Sequence, residues 1–272
     1  MGISILTGTK VGGNSMNQSE RRQILIRFLL NEQPEYQKTA IPQNSDEQKK
    51  LLRSLMNIRP AAPVSEEFQR IQDEYLQEEN RSRGLVALSS LSPVQDRIYL
   101  WRGDITRLVC GAIVNAANSG MTGCYQPCHN CIDNCIHTYA GIQLRNYCSD
   151  LMEKQGHEEP TGTAKITPAF NLPCDYVIHT VGPIVRGKLT QLHCRQLASC
   201  YRSCLELADQ NQIRSLAFCC ISTGVFMFPN EEAAEIAIQT VKDYKTETGS
   251  EIEVIFNVFT EHDEQIYRKL LG

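Results

Sequence analysis

The sequence predicts an α/β fold, a sheet with helices on both faces, preceded by a small helical extension. From about residue 90 onward, short β-rich runs alternate with longer helical ones. The preceding third carries only helical periodicity. A third observation locates the chemistry: a dense group of sulfur and imidazole side chains just beyond an apolar strand.

Taken in order, residues 1–15 show no apolar periodicity and are expected to be flexible. Ile24, Leu25, Phe28 and Leu29 then recur at helical spacing, as do Leu51, Leu52, Leu55 and Met56. After a proline-bearing break at 60–63, Ser65 with Glu66 and Glu67 reads as a helix cap ahead of Phe68, Ile71 and Leu76. This layer has few large apolar residues and is expected to pack against the rest of the chain. The division is therefore 1–88 for the helical extension and 89–272 for the α/β unit. Strands are expected at 97–101, 112–114, 164–167, 176–180, 215–221 and 253–259. Helices are expected at 133–155, 189–211, 231–246 and 262–271.

The 272 residues carry a formal charge of −4. That balance argues against binding of a nucleic-acid polymer, which calls for a basic surface. No run approaches the roughly eighteen apolar residues of a membrane helix, and the first fifteen residues lack the apolar stretch of a secretory leader. The expected setting is cytoplasmic and reducing. There, twelve cysteines point to metal binding, catalysis or the core rather than to a disulfide framework.

Four segments carry chemistry. Gly103, Asp104, Ile105 and Thr106 follow the first strand; Asp104 there suits either an exocyclic amine of a base or a helix cap. Asn115 and Asn118 flank two alanines at the next strand end, offering hydrogen-bond groups for sugar hydroxyls or tolerating an unusual backbone. Ser222, Thr223, Gly224, Val225 and Phe226 lie between a strand and a helix start near Pro229, the arrangement that cradles phosphates on backbone N–H groups. The fourth segment holds four cysteines and two histidines within the fourteen residues from Cys124 to His137, with Asp133 among them. Such spacing suits a tetrahedral zinc ion. The pattern from Asp133 through Ile136, Ala140 and Leu144 is helical, which makes His137 and Cys135 helix residues; Cys128 reads as ligand or spacer. Cys194, Cys200, Cys204, Cys219 and Cys220 fall on apolar faces and are assigned to the core.

These motifs resemble those of the macrodomain family: Asp104 with Ile105, Asn115 with Asn118, Asp133 followed by His137 and Gly141, His179 ahead of Gly182 and Pro183, and the loop 222–226 with Pro229. The match spans roughly residues 90–271, and four short motifs in the family's order make it specific. A glycine-rich loop of many hydrolytic macrodomains is replaced here by the segment holding Cys124, His129 and Cys131, with Met227 where many relatives have a small residue. In the replaced loop the chain is similar to a zinc-containing microbial subgroup with a helical N-terminal extension.

The resemblance implies a three-layer α/β/α fold with a central mixed sheet and one Zn2+ on Cys124, His129 and Cys131. It implies ADP-ribose bound by Asp104, Ile105, Asn118, Cys131, Ile132, Asp133 and the loop residues Ser222, Thr223, Gly224, Val225 and Phe226. Asp133 and Asn118 are the implied catalytic residues, and the implied activity is hydrolytic removal of mono-ADP-ribose from protein side chains. A non-catalytic ADP-ribose reader and an O-acetyl-ADP-ribose deacetylase are the alternatives. Subgroup analogy further implies a lipoyl carrier protein as the modified substrate.

Overall fold

The computed structural model describes residues 16–272; the flexibility expected of 1–15 lies outside the described residues. Three helices come first: α1 (Gln18–Glu32), α2 (Ser45–Ile58) and α3 (Glu66–Ser82). Each starts at a capping side chain, Asn17, Asn44 or Ser65, that accepts from a first-turn N–H. Their apolar faces make a separate small core around Leu25, Ile26, Leu29, Leu52, Phe68 and Ile71. Ile142 from the α/β unit completes that core, so the layer is packed onto its neighbour as its composition predicts.

The α/β unit follows: β1 (Val86–Ala87), β2 (Pro93–Gln95), β3 (Ile98–Arg102), β4 (Leu108–Val109), β5 (Ala112–Ala117), α4 (Ile132–Ala140), α5 (Ile142–Gln155), β6 (Ala164–Pro168), β7 (Tyr176–Val181), α6 (Gln191–Gln210), β8 (Ser215–Phe218), α7 (Asn230–Thr248), β9 (Glu253–Val258) and α8 (Glu261–Leu271). The seven-stranded sheet has the order β2-β3-β9-β8-β5-β7-β6. Its inner five strands are parallel and its two edge strands antiparallel. Strand β5 is flanked by β7 on one side and β8 on the other, so right-handed crossovers place α4 and α5 on one face and α6 on the opposite one. Helices α6, α7 and α8 pack successively on one another. This is the mixed three-layer sheet expected. Its parallel strands β3, β5 and β8 end at the same edge, with a reversal of winding between β5 and β8 where ligands settle in such folds.

Two expectations need correcting. The helix expected over 133–155 is two helices broken at Gly141, whose φ of 99° and ψ of 171° are open almost only to glycine. The strand expected over 215–221 stops at Phe218, and the following residues turn toward the loop at 222. The short strands β1, β2 and β4 carry too little alternation to be read from sequence. Pairing of Val86 with Leu108 means the chain has crossed into the α/β unit within four residues of the end of α3.

A methyl group on Gly141 would stand 2.6 Å from Gln143 Oε1 and 2.8 Å from Gln72 Nε2, besides straining the backbone. G141A is predicted to lose about 1–3 kcal/mol of stability, measured by urea denaturation. An unchanged midpoint would contradict this account of the helix break.

Candidate functional site

The loop from Asn118 to Cys131 joins the C-terminal end of β5 to the start of α4. Cys124, His129 and Cys131 each bring one ligand atom within 4.8 Å of the others. Cys124 Sγ lies 3.6 Å from His129 Nδ1. Two sulfurs and a nitrogen around zinc need separations of roughly 3.5 Å, so modest side-chain rotation closes the set. The donor chemistry, two thiols and an imidazole, suits zinc rather than a hard cation. Cys131 is also the N-cap of α4, accepting from Asn134 N–H at 3.4 Å. Burial pushes its thiol up to about 12. A thiolate at that position therefore calls for a cation beside it.

Side chains from outside hold this loop. Arg145 Nε donates to Thr122 O at 2.8 Å, and Arg53 Nη2 donates to His129 O at 2.7 Å and to Asn134 Oδ1 at 2.9 Å. Asn134, fully buried, donates to Gln126 O at 2.9 Å. Cys128 adopts φ 52° and faces α2: its N–H donates to Asn57 Oδ1 at 2.9 Å and its Sγ lies 3.2 Å from Ser54 Oγ. It is anchored to the helical layer and is not in the group formed by Cys124, His129 and Cys131. Cys135, half-buried, lies 3.6 Å from Arg53 Nη2.

Asp133, in the first turn of α4, is 5% exposed. Asn115 Nδ2 donates to its Oδ1 at 2.8 Å, and Asn118 Nδ2 comes within 3.4 Å of its Oδ2. Burial raises its carboxyl to about 6, against the lowering effect of the Asn115 bond and the Arg145 charge. The Asn118 side chain also bonds Gly123 O and Gly120 N, so it shapes the loop as well as meeting Asp133. Asn115 is paired in register with His179 on β7, and its Nδ2 lies 3.1 Å from His179 Nδ1. Since that amide donates, Nδ1 accepts, and the ring proton sits on Nε2, 3.0 Å from Thr167 Oγ1. Burial lowers His179 to about 3, keeping it neutral. His137 sits in α4 as expected, its Nε2 3.6 Å from Asp133 Oδ1, and both its ring nitrogens are buried without a hydrogen bond.

The loop 222–226 folds back on itself through Met227 N–H to Gly224 O and Phe228 N–H to Ser222 O. The N–H groups of Gly224, Val225 and Phe226 have no hydrogen-bond partner among the described residues, and Gly224 and Val225 are exposed. Ser222 has φ 65°, and its buried Oγ fills the space a side chain at Gly182 would need. Asp104 caps the short turn after β3 by accepting from Thr106 N–H at 3.0 Å, and it also pairs with Arg83 of the helical layer. Of its two sequence readings, the cap is the one seen in these hydrogen bonds.

Sequence reasoning placed each motif-bearing loop just after a strand, but it missed residues that act across the fold. Asn115 and His179 stand inside apolar strands, which is itself a signal: a polar group in a buried run must have a partner. Arg53 and Arg83 carry no local signal, because their partners lie 76 and 21 residues away. Phe259, 76% exposed, follows directly on β9, whose Val258 O accepts from Gly103 N–H at 2.9 Å.

Residues 114–237 match the Macro domain family model. A protein-ADP-ribose hydrolase of Treponema medium is 61% identical over 94% of this chain and 100% of its own length, and one of Staphylococcus aureus is 48% identical over 92% and 94%. Among solved structures, the Trypanosoma brucei macrodomain in complex with ADP-ribose is 31% identical with a TM-score of 0.63, over 80% of this chain and 95% of that one. The Oceanobacillus iheyensis macrodomain with ADP is 37% identical with a TM-score of 0.60, over 66% and 93%. The chain belongs to the macrodomain family. Within it, the two near-full-length relatives above both carry the name protein-ADP-ribose hydrolase.

The neutral His179 ties stability to pH. Below the ordinary value near 6.5 the unfolded chain takes up a proton that the folded chain refuses until about pH 3. His137 is lowered in the same direction by burial and by His179. Stability from these rings is complete above about pH 6.5 and is lost as pH falls toward 3. The denaturation midpoint is predicted to fall between pH 7.5 and 5, with a smaller fall in H179Q. An equal fall in wild type and variant would contradict the assignment.

Proposed function

We propose that the protein is a zinc-dependent hydrolase that removes mono-ADP-ribose from modified protein side chains. The observation that carries this reading is the convergence of Cys124, His129 and Cys131 in the loop leading directly to Asp133. The names of its relatives support the hydrolytic activity, and the free N–H groups of residues 224–226 support nucleotide binding.

In this reading the nucleotide lies along the C-terminal edge of the sheet. The diphosphate is held by the N–H groups of Gly224, Val225 and Phe226 within the loop bounded by Ser222 and Thr223, ahead of the α7 N-terminus. Asp104 accepts from the adenine amine with the Ile105 backbone beside it, Phe259 offers a face for the base, and Phe226 packs on the distal ribose. The distal end meets the backbone of Cys131 and Ile132 at the start of α4, whose dipole favours negative charge. Zinc on three protein ligands would leave one position for a substrate oxygen and supply Lewis acidity there. Asp133 does the proton chemistry. Its Oδ1 is taken by Asn115, while its Oδ2 has only the long Asn118 contact and is left to accept from water or a ribose hydroxyl. With a carboxyl near 6, it is ionised at neutral pH yet basic enough to take up that proton. Asn118 acts through this contact and through the loop it shapes.

The absence of a disulfide among the twelve cysteines suits a reducing, cytoplasmic setting, and among the described residues no helix is long and apolar enough to cross a membrane. A lipoyl carrier protein is the substrate class to test first.

The test is release of ADP-ribose from a mono-ADP-ribosylated carrier protein, with and without chelator. D133A is predicted to lower turnover by about 10²–10⁴-fold, the contribution of a general base, with zinc content unchanged. C131A is predicted to lose both metal and turnover. Full zinc and full turnover in C131A would overturn the ligand set. Tight ADP-ribose binding with full zinc and no release would make the protein a reader, and preferential turnover of O-acetyl-ADP-ribose would make it a deacetylase.

A further inference from the structure

The helical layer reaches the nucleotide end of the site through one side chain. Arg83 is the C-cap residue of α3. Its Nη2 donates to Asp104 Oδ2 and, at 2.9 Å, to Thr106 Oγ1, so both hydrogens of that nitrogen are used. Its Nη1 donates to Asn80 Oδ1 at 3.1 Å, and its guanidinium lies 3.5 Å from the centroid of the Tyr139 ring on α4. Asn80 in turn donates to Tyr139 O at 3.2 Å. Four anchors therefore fix one planar cation, which is only 17% exposed. One residue on, Gly84 O accepts from Arg107 Nε at 2.6 Å, tying the exit of α3 to the same turn.

What this does to Asp104 can be counted. A carboxylate offers about four lone-pair positions. Thr106 N–H and Thr106 Oγ1 occupy both on Oδ1, at 3.0 and 2.6 Å. Arg83 occupies one on Oδ2. A single acceptor position is left, on a side chain one third exposed. A planar, stacked guanidinium fixes the direction of that position in a way a mobile ammonium does not.

We propose that Arg83 is a positioning residue for base recognition: by holding Asp104 so that one carboxylate lone pair is presented outward, it makes the helical extension part of the nucleotide site and sets a preference for a 6-aminopurine over a 6-oxopurine. The inference rests on the reading of Asp104 as the acceptor for the adenine amine. An amine donates to the outward lone pair, whereas the carbonyl oxygen of hypoxanthine meets it as one acceptor facing another.

The experiment is calorimetric titration of the full chain with ADP-ribose and with inosine diphosphate ribose, for wild type, R83Q, R83K and D104N. Wild type is expected to prefer ADP-ribose by roughly tenfold or more, the effect of one charge-assisted hydrogen bond. R83Q is expected to weaken ADP-ribose binding by about that factor while changing the inosine analogue less than about twofold, so the preference collapses. Equal weakening of both ligands, or a preference unchanged from wild type, would overturn the proposal, because a bracing role alone would not change the ratio. Should R83Q fail to fold, R83K carries the test: its preference is expected to drop at least about threefold, and a wild-type ratio would overturn the inference. D104N separates the two layers of the argument. A wild-type preference in D104N would refute the reading of Asp104 itself. Loss of preference in D104N with retention in R83Q would leave that reading standing and remove Arg83 from it.

Discussion

The backbone of the loop between β5 and α4 is held by side chains from elsewhere in the chain. Its carbonyls at Thr122, Gln126 and His129 are met by Arg145, Asn134 and Arg53. The loop contains few apolar residues and could not fix its own shape by burial. A buried or half-buried carbonyl without a partner costs about 1–3 kcal/mol, so these bonds select one loop conformation over many. That conformation brings Cys124, His129 and Cys131 together. It also sets Cys131 at the start of α4, and therefore Asp133 in its first turn.

The helical layer has a corresponding double role. Its own core is small and is completed by Ile142 of the α/β unit. In return α2 supplies Arg53 and Asn57 to the sulfur-bearing loop, and α3 leads into Arg83 at Asp104. Arg145 joins the two layers, donating to the carbonyls of Met56 and Asn57 at the end of α2 while reaching Thr122. The layer thus braces both ends of the proposed nucleotide path.

Much of this fold was legible because its elements obey simple periodicities. All six major strands and the long helices α6, α7 and α8 lie within a few residues of their expected places. The break at Gly141 was not legible as a break, because the apolar spacing runs on through it; only the backbone angles reveal that the chain turns there. The site was legible as motifs and not as a network. Cys124, His129, Cys131 and Asp133 are close in sequence, so spacing alone suggested a cluster. Asn115, His179 and Thr167 form a chain of contacts across three strands that only register brings into line. Arg53 and Arg83 look like solvated charges on helices until their partners are seen. For Cys128, spacing allowed a ligand or a spacer; its left-handed backbone and its contact with Ser54 turn it toward α2.

The ligand set is the claim on which the proposed chemistry stands, and zinc-edge X-ray absorption on protein purified without added metal addresses it most directly. The account predicts a four-coordinate ion with two sulfurs at about 2.3 Å and one imidazole nitrogen at about 2.0 Å, the remaining neighbour being a light atom from solvent that ADP-ribose perturbs. A shell of three or four sulfurs, or one without sulfur, would contradict it.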